Sequence, residues 1–170
     1  MAQPLSVDAS RLADDSFYVS LEFFYQWRSQ LQRSNVGKVG APFEFPAALV
    51  EYIAWVRVRT GLDYRGLEAF SRGMLAEVAV RLAGLGMPKE DIRRFRVPHF
   101  TQIRRRVAQI RLDPTTAAQL ANRTPIYLVL DVDGPKVSNA LQWSRNIVGA
   151  RVTRGWVRVP ATQPPVATSP

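Results

Sequence analysis

Residues 125–137 read PIYLVLDVDGPKV. Five apolar side chains in a row, Ile126 to Leu130, give way to Asp131, Val132, Asp133 and Gly134. A β-branched and aromatic run of this length predicts a strand. The segments before it carry helical spacing, so the run marks the point where the chain changes from helix to sheet. The fold class that follows is α+β, mostly α. Side chains at i and i+2 of a strand share a face, which places Asp131 and Asp133 on one side of the strand end. Carboxylates so placed can ligate Mg²⁺, which takes oxygen ligands and often only one or two from protein. Two such ions can clamp the attacking and leaving oxygens of a phosphoryl transfer. The same residues also read as a turn, because Asp-Gly is a common hairpin connection.

The rest of the composition narrows the chemistry. The 170 residues are 46% hydrophobic and 10% aromatic, enough to build a packed core. There is no cysteine and one histidine, His99, which excludes disulfides, zinc-thiolate sites, a cysteine nucleophile and a histidine metal cluster. No apolar stretch approaches the ~20 residues of a membrane span, and MAQPLSVDAS has no basic-then-apolar signal pattern. The expectation is a cytoplasmic, DNA-associated chain with no membrane partner. The DNA part of that expectation comes from charge. The formal net charge is +9, and it is concentrated. Residues 91–124 carry eight basic and two acidic side chains, whereas residues 1–45 carry four and five. All eight bases in that window are arginines, and no acid lies between Arg93 and Arg111. A localised excess of this kind suits a polyanion; a solvated basic helix face is the alternative.

Four regions follow along the chain. Residues 1–45 read as a loose arm (1–15) and then an amphipathic helix over 16–33, carried by Phe17, Leu21, Phe23, Phe24, Trp27 and Leu31. NVGKVGAP breaks it. Residues 46–124 read as a helical DNA-binding domain. Its clearest helix follows Pro46 and stops at Gly61, with Leu49, Val50, Ile53, Trp55 and Val56 inward. Residues 63–83 read as one or two more helices, with a break expected at Ser71-Arg72-Gly73. Pro98 can open HFTQIRRRVAQIRL, and Thr115 to Leu120 a further turn. Residues 125–159 read as core strands. Residues 160–170, PATQPPVATSP, read as a disordered tail that cannot continue a sheet.

Short helices followed by an arginine-rich one have helix-turn-helix character, and such a helix enters the major groove by its N-terminal end. Here that end presents His99, Thr101 and Gln102. Gln can pair bidentately with adenine and Thr can touch a thymine methyl. Phe100, Ile103, Val107 and Ile110 form the inward stripe. Arg104, Arg105 and Arg106 are then free for phosphates, joined by Arg93, Arg94 and Arg96 before the helix and Arg111 after it. His99 reads as a helix-start residue rather than a base.

Taken in order, these pieces resemble insertion-sequence transposases of the DDE type. FPAALVEYIAWVRVRTGLDYRGLEAF resembles the family's helical leader with its R-x-x-E-x-F segment, here Arg65, Glu68 and Phe70. VPHFTQIRRR is similar to the family's VPDYSTLSRRR segment, LVLDVDGPKV to its VVDSTGLKV strand, and TRGWVRV to the strand that follows. The resemblance covers roughly residues 42–159 and implies a ribonuclease-H-like core that uses Mg²⁺ to cut DNA and join strands. It places the first of three catalytic acids on Asp131. Asp133 stands where the family has Thr or Ser, and His99 where it has an acid. The match ends at Val159, so the second Asp and the Glu have no counterpart. The expectation is the N-terminal, DNA-binding part of a truncated transposase, inactive alone, with Ile126–Leu130 left open to solvent. Its implied partners are double-stranded DNA and a second copy or a full-length transposase. A stand-alone regulator or inhibitor of transposition and a non-functional remnant are the alternative readings.

Overall fold

A computed structural model of the chain describes residues 16–121, 126–139 and 155–159. The expected arm and tail, and the stretch 147–154, lie outside the described residues. The described elements are β1 (Ser16–Ser20), α1 (Leu21–Tyr25), α2 (Trp27–Asn35), α3 (Ala47–Thr60), α4 (Tyr64–Gly84), α5 (Lys89–Ile92), α6 (Phe100–Val107), α7 (Pro114–Ala121), β2 (Ile126–Asp131), β3 (Gly134–Asn139) and β4 (Trp156–Val159). The fold is α+β and mostly α.

One expectation is corrected at the start. Residues 16–20 are a strand, not the first turn of a helix. Phe17 and Val19 alternate with Tyr18, a period of two, and both are buried. Helical spacing begins only at Leu21. The strand exists because of partners far along the chain. β1 runs parallel to β2, with Phe17 opposite Leu128 and Val19 opposite Leu130. On its other side it runs antiparallel to β4, with Val19 opposite Val157 and Phe17 opposite Val159. β3 completes the order β3-β2-β1-β4 through a hairpin with β2. Parallel neighbours need a crossover connection, and here it contains every described helix. The helices are therefore inserted between two paired strands.

Helices α3 and α4 cover one face of the sheet. The Phe17 ring meets Phe70 of α4 edge-on at 5.8 Å. α3 also contacts α6 and α7 on its far side, which is why it is buried nearly all round, at Leu49, Val50, Tyr52, Ile53, Trp55 and Val56. Its ends follow the sequence. Pro46 precedes the first turn, and Gly61 takes a left-handed φ of 71° while donating to the Arg57 carbonyl at 2.8 Å. α4 runs unbroken for 21 residues. The Ser71 hydroxyl donates to the Leu67 carbonyl at 2.8 Å, and Gly73 is exposed, so glycine there costs only ~1 kcal/mol of helix propensity. Asp63 starts this helix by accepting from Gly66 N–H at 2.7 Å.

β2 does not lie open as expected. Ile126, Leu128 and Leu130 are buried because β1 and β3 flank the strand and α3 packs on it, and Val129, on the opposite face, is buried as well.

Among the described residues three buried side-chain polar atoms lack a partner, Trp27 Nε1, Gln30 Nε2 and the Tyr52 hydroxyl. The Tyr52 hydroxyl is fully buried with no hydrogen-bond partner, and desolvation pushes its pKa far above the ordinary phenol value. Tyr52→Phe removes an unpaired polar atom and leaves the ring in place. It is expected to raise the unfolding free energy by ~1–2 kcal/mol, read as a higher denaturation midpoint with an unchanged m-value. A loss of stability would mean that the hydroxyl has a partner.

Candidate nucleic-acid interface

The arginine-rich stretch is presented on two anchors. The first is Phe95. Its ring packs edge-on against Phe24 at 5.2 Å and lies 5.3 Å from Trp27, so the α1–α2 aromatic cluster grips the segment after α5. With Phe95 turned inward, Arg93, Arg94 and Arg96 are exposed. Arg94 pairs with Asp91 at 3.1 Å, an exposed pair worth little. The second anchor is Ile103 of α6, which is fully buried, while Val107 and Ile110 pack partly against the core and the half-buried Phe100 packs against Arg65 and the His99 ring. Arg104, Arg105 and Arg111 are exposed. The expected inward stripe is observed at Ile103, Val107 and Ile110, while Phe100 lies at its edge against Arg65. The helix is shorter than HFTQIRRRVAQIRL, however, ending at Val107 in a turn where Ile110 N–H donates to the Val107 carbonyl.

The start of α6 is fastened to α4. Glu68 Oε2 accepts from Phe100 N–H at 2.9 Å, and its Oε1 accepts from Arg72 at 2.9 Å. Arg65 lies over the Phe100 ring at 4.9 Å. A carboxylate at a helix N-terminus meets both the free N–H groups and the helix dipole. That position is thus filled from within the chain. His99 is the N-cap. Its Nδ1 accepts from Thr101 N–H at 3.4 Å and lies 2.9 Å from Thr101 Oγ1, and its own N–H donates to Gln102 Oε1 at 3.0 Å. Bidentate pairing of Gln102 with adenine needs both amide atoms, and one is committed to the cap. His99 and Thr101 are exposed.

Arg106 differs from its neighbours. Its guanidinium lies 4.7 Å from the Phe43 ring and 4.8 Å from that of Phe45, and it donates to the Phe45 carbonyl at 3.2 Å. Partial desolvation lowers its pKa from the ordinary guanidinium value. The expectation that all three consecutive arginines are free is corrected at this position. On the Phe43 ring Lys38 adds a second cation, 4.6 Å from the centroid. Between residues 41–45 and α6 lies a cavity of about 440 Å³ reached by Gln102, Arg105 and Arg106.

The acids are elsewhere. Asp131 ends β2, and Val132 and Asp133 form a two-residue hairpin loop closed by Asp131 opposite Gly134. Gly134 has a φ of 110°, a conformation side chains disfavour. A hairpin turn is observed where the Asp-Gly reading put one, but its two loop residues are Val132 and Asp133, and Gly134 is the first residue of β3. Asp131 Oδ1 accepts from Val132 N–H at 2.8 Å. The other oxygen, Oδ2, and Asp133 Oδ2 lie 3.3 and 3.4 Å from the Lys136 ammonium. Desolvation pulls the Lys136 pKa down, but the hydrogen bonds and charges of the two carboxylates outweigh it and raise the pKa. By register Tyr127, Val129 and Asp131 share the sheet face turned away from α3 and α4, together with Tyr18 and Lys136. The arginines of α6 belong to the helical side, so the structure does not bring acids and arginines together.

The two aspartates converge on the Lys136 ammonium, so a divalent cation held by Asp131 and Asp133 would have to displace it and would draw most of its shell from water. Among the described residues no group of three acids or histidines comes together, and no helix is long and apolar enough to cross a membrane. Sequence reasoning missed Glu68 as the dock for α6, Lys136, and the Phe43 and Phe45 seats of Arg106. Only Lys136 left a readable signal, in the D-x-D-G-x-K spacing of a two-residue hairpin. No family model, curated protein or solved structure matches the chain.

Proposed function

We propose that this chain binds double-stranded DNA through the surface formed by residues 93–111, as the DNA-recognising part of a DDE-type insertion-sequence transposase. One observation carries the binding reading: six arginines, at 93, 94, 96, 104, 105 and 111, are exposed on a segment held from beneath by Phe95 and Ile103. Guanidiniums presented this way can contact successive phosphates without disturbing the core. Use of α6 as a helix-turn-helix reader and a ribonuclease-H-like origin of the sheet belong to the same proposal. It gains support from the way two pieces of the resemblance meet. Arg65 and Glu68 of the R-x-x-E-x-F segment hold Phe100 of VPHF. The test is a salt titration of duplex binding by the 170-residue chain. Log affinity should fall linearly with log salt, with a slope of roughly one per phosphate contacted. Salt-independent binding, or a preference for folded RNA, would sink the reading.

Binding and cleavage are expected to come apart. Two-metal phosphoryl transfer needs two cations about 4 Å apart, and Asp131 with Asp133 can offer Mg²⁺ one weak position, in competition with Lys136. Those two residues supply the charge and orientation; the metal, when bound, would supply the Lewis acidity. A DNA binder that does not cut suits the regulator reading, in which the chain occupies transposon ends or pairs with a full-length transposase. Incubation with end-bearing linear duplex and Mg²⁺ or Mn²⁺ should give no nicking or strand transfer. Metal-dependent nicking that Asp131→Asn abolishes would overturn this.

A further inference from the structure

Between α2 and α3 the chain makes a closed loop over residues 36–43. Its base is fixed by Asn35, whose side chain donates to the Phe43 carbonyl at 3.1 Å and accepts from Phe43 N–H at 2.7 Å. The loop is tied to α6 as well, because the Phe43 ring seats Arg106. Inside it, Gly37 and Gly40 take φ values of 68° and 92°, so both bends require glycine. Lys38 is folded back onto the Phe43 ring and the Ala41 carbonyl. What the loop displays is apolar: Val36 is 82% exposed and Val39 is 97% exposed. An apolar pair held out on a fastened loop is not explained by packing, since neither side chain buries anything.

We infer that the 36–43 loop is a DNA wedge, with Val36 and Val39 pressing against or between base pairs while the neighbouring arginines hold the phosphates. The inference rests on the DNA-binding reading and deepens it. The occupant is chosen by charge. The loop is fastened to α6 through Arg106 on Phe43, and Arg105 lines the cavity between residues 41–45 and that helix, with Glu44 the one acid there, so a polyanion held by α6 would approach the loop. A duplex offers the required combination, an anionic rim around stacked apolar bases. Proteins that insert apolar side chains into a base step partly unstack it and bend the duplex. The seating of Arg106 between Phe43 and Phe45 then has a purpose: it couples the position of the loop to the helix that grips the backbone.

The experiment uses the full chain and a duplex with flexible TA steps, carrying 2-aminopurine beside a step and a fluorophore pair at its ends. Wild-type protein should brighten the 2-aminopurine and shorten the end-to-end distance. Val36→Ser with Val39→Ser changes only exposed atoms, so the fold should persist. It is expected to abolish both signals and weaken binding about tenfold, with the salt slope unchanged. Unaltered bending and affinity in this variant would overturn the wedge and leave DNA binding intact. Absence of salt-dependent binding by the wild type would remove both readings. A self-associated wild type that the serine pair turns into monomers, with no optical change on DNA, would assign the valines to a second copy and also overturn the wedge.

Discussion

Replacing Arg104 and Arg105 together with alanine is expected to lower duplex affinity by roughly 30- to 100-fold near 0.1 M salt and to flatten the salt slope by about two. Both guanidiniums are exposed on the outer side of α6, while the helix is held by Ile103 beneath and Glu68 at its start. The double variant should therefore keep the wild-type melting temperature. Arg106→Ala should behave in the opposite way. Its guanidinium lies between two phenyl rings and on a backbone carbonyl, and a partly desolvated cation–π contact is worth ~1–2 kcal/mol. The loss there should appear first in stability and in the mobility of residues 36–45, with a smaller change in salt slope. Filter binding or fluorescence anisotropy at four or more salt concentrations, beside thermal melts, separates the two patterns. If Arg104→Ala/Arg105→Ala leaves the slope intact while Arg106→Ala flattens it, the DNA face has been put on the wrong side of the helix.

The contrast between those neighbours marks how far the sequence could be read. Local rules located α3 to within a residue, because Pro46 and Gly61 act on the chain immediately beside them. They also gave the inward sides of α4 and α6, since Leu67, Phe70, Met74, Leu75, Val78, Leu82 and Ile103 recur at helical spacing and are all buried. They failed wherever the deciding partner is distant. Nothing near Arg106 announces that Phe43 and Phe45, some sixty residues earlier, will enclose it. Nothing near Phe17 announces a strand, because β1 pairs with residues 127–130 and 156–159. Three residues of aromatic and aliphatic character between two serines, Ser16 and Ser20, sit equally well in either period, and the tertiary partners decide. The hairpin is the intermediate case. Its turn is local and was legible, but the capture of both carboxylates by Lys136 needs the cross-strand register as well.

Val19 offers the sharpest test of that corrected strand. In a helix over 16–33 with Phe17, Leu21 and Phe24 inward, Val19 would point to the opposite side, and a polar residue there would be harmless. In the sheet it is completely buried, with Leu130 across from it on one side and Val157 on the other. Val19→Asp would place a carboxylate among those side chains without a cation to meet it. An unpaired buried charge costs several kcal/mol, a large share of the ~5–15 kcal/mol that holds a domain together. The variant should be largely unfolded at neutral pH. The loss should ease as pH falls, because burial raises an acid's pKa and the protonated form is less costly to enclose. Val19→Ala is the milder companion, expected to cost ~1–3 kcal/mol through the lost methyls and the cavity. Since β1 and β2 bracket every described helix, destabilisation should reach the helices too, as a single cooperative loss of far-ultraviolet signal. Tyr18→Ser, one residue away on the outer face, should cost less than Val19→Ala. A Val19→Asp variant that melts like the wild type would return residues 16–20 to the surface of a helix.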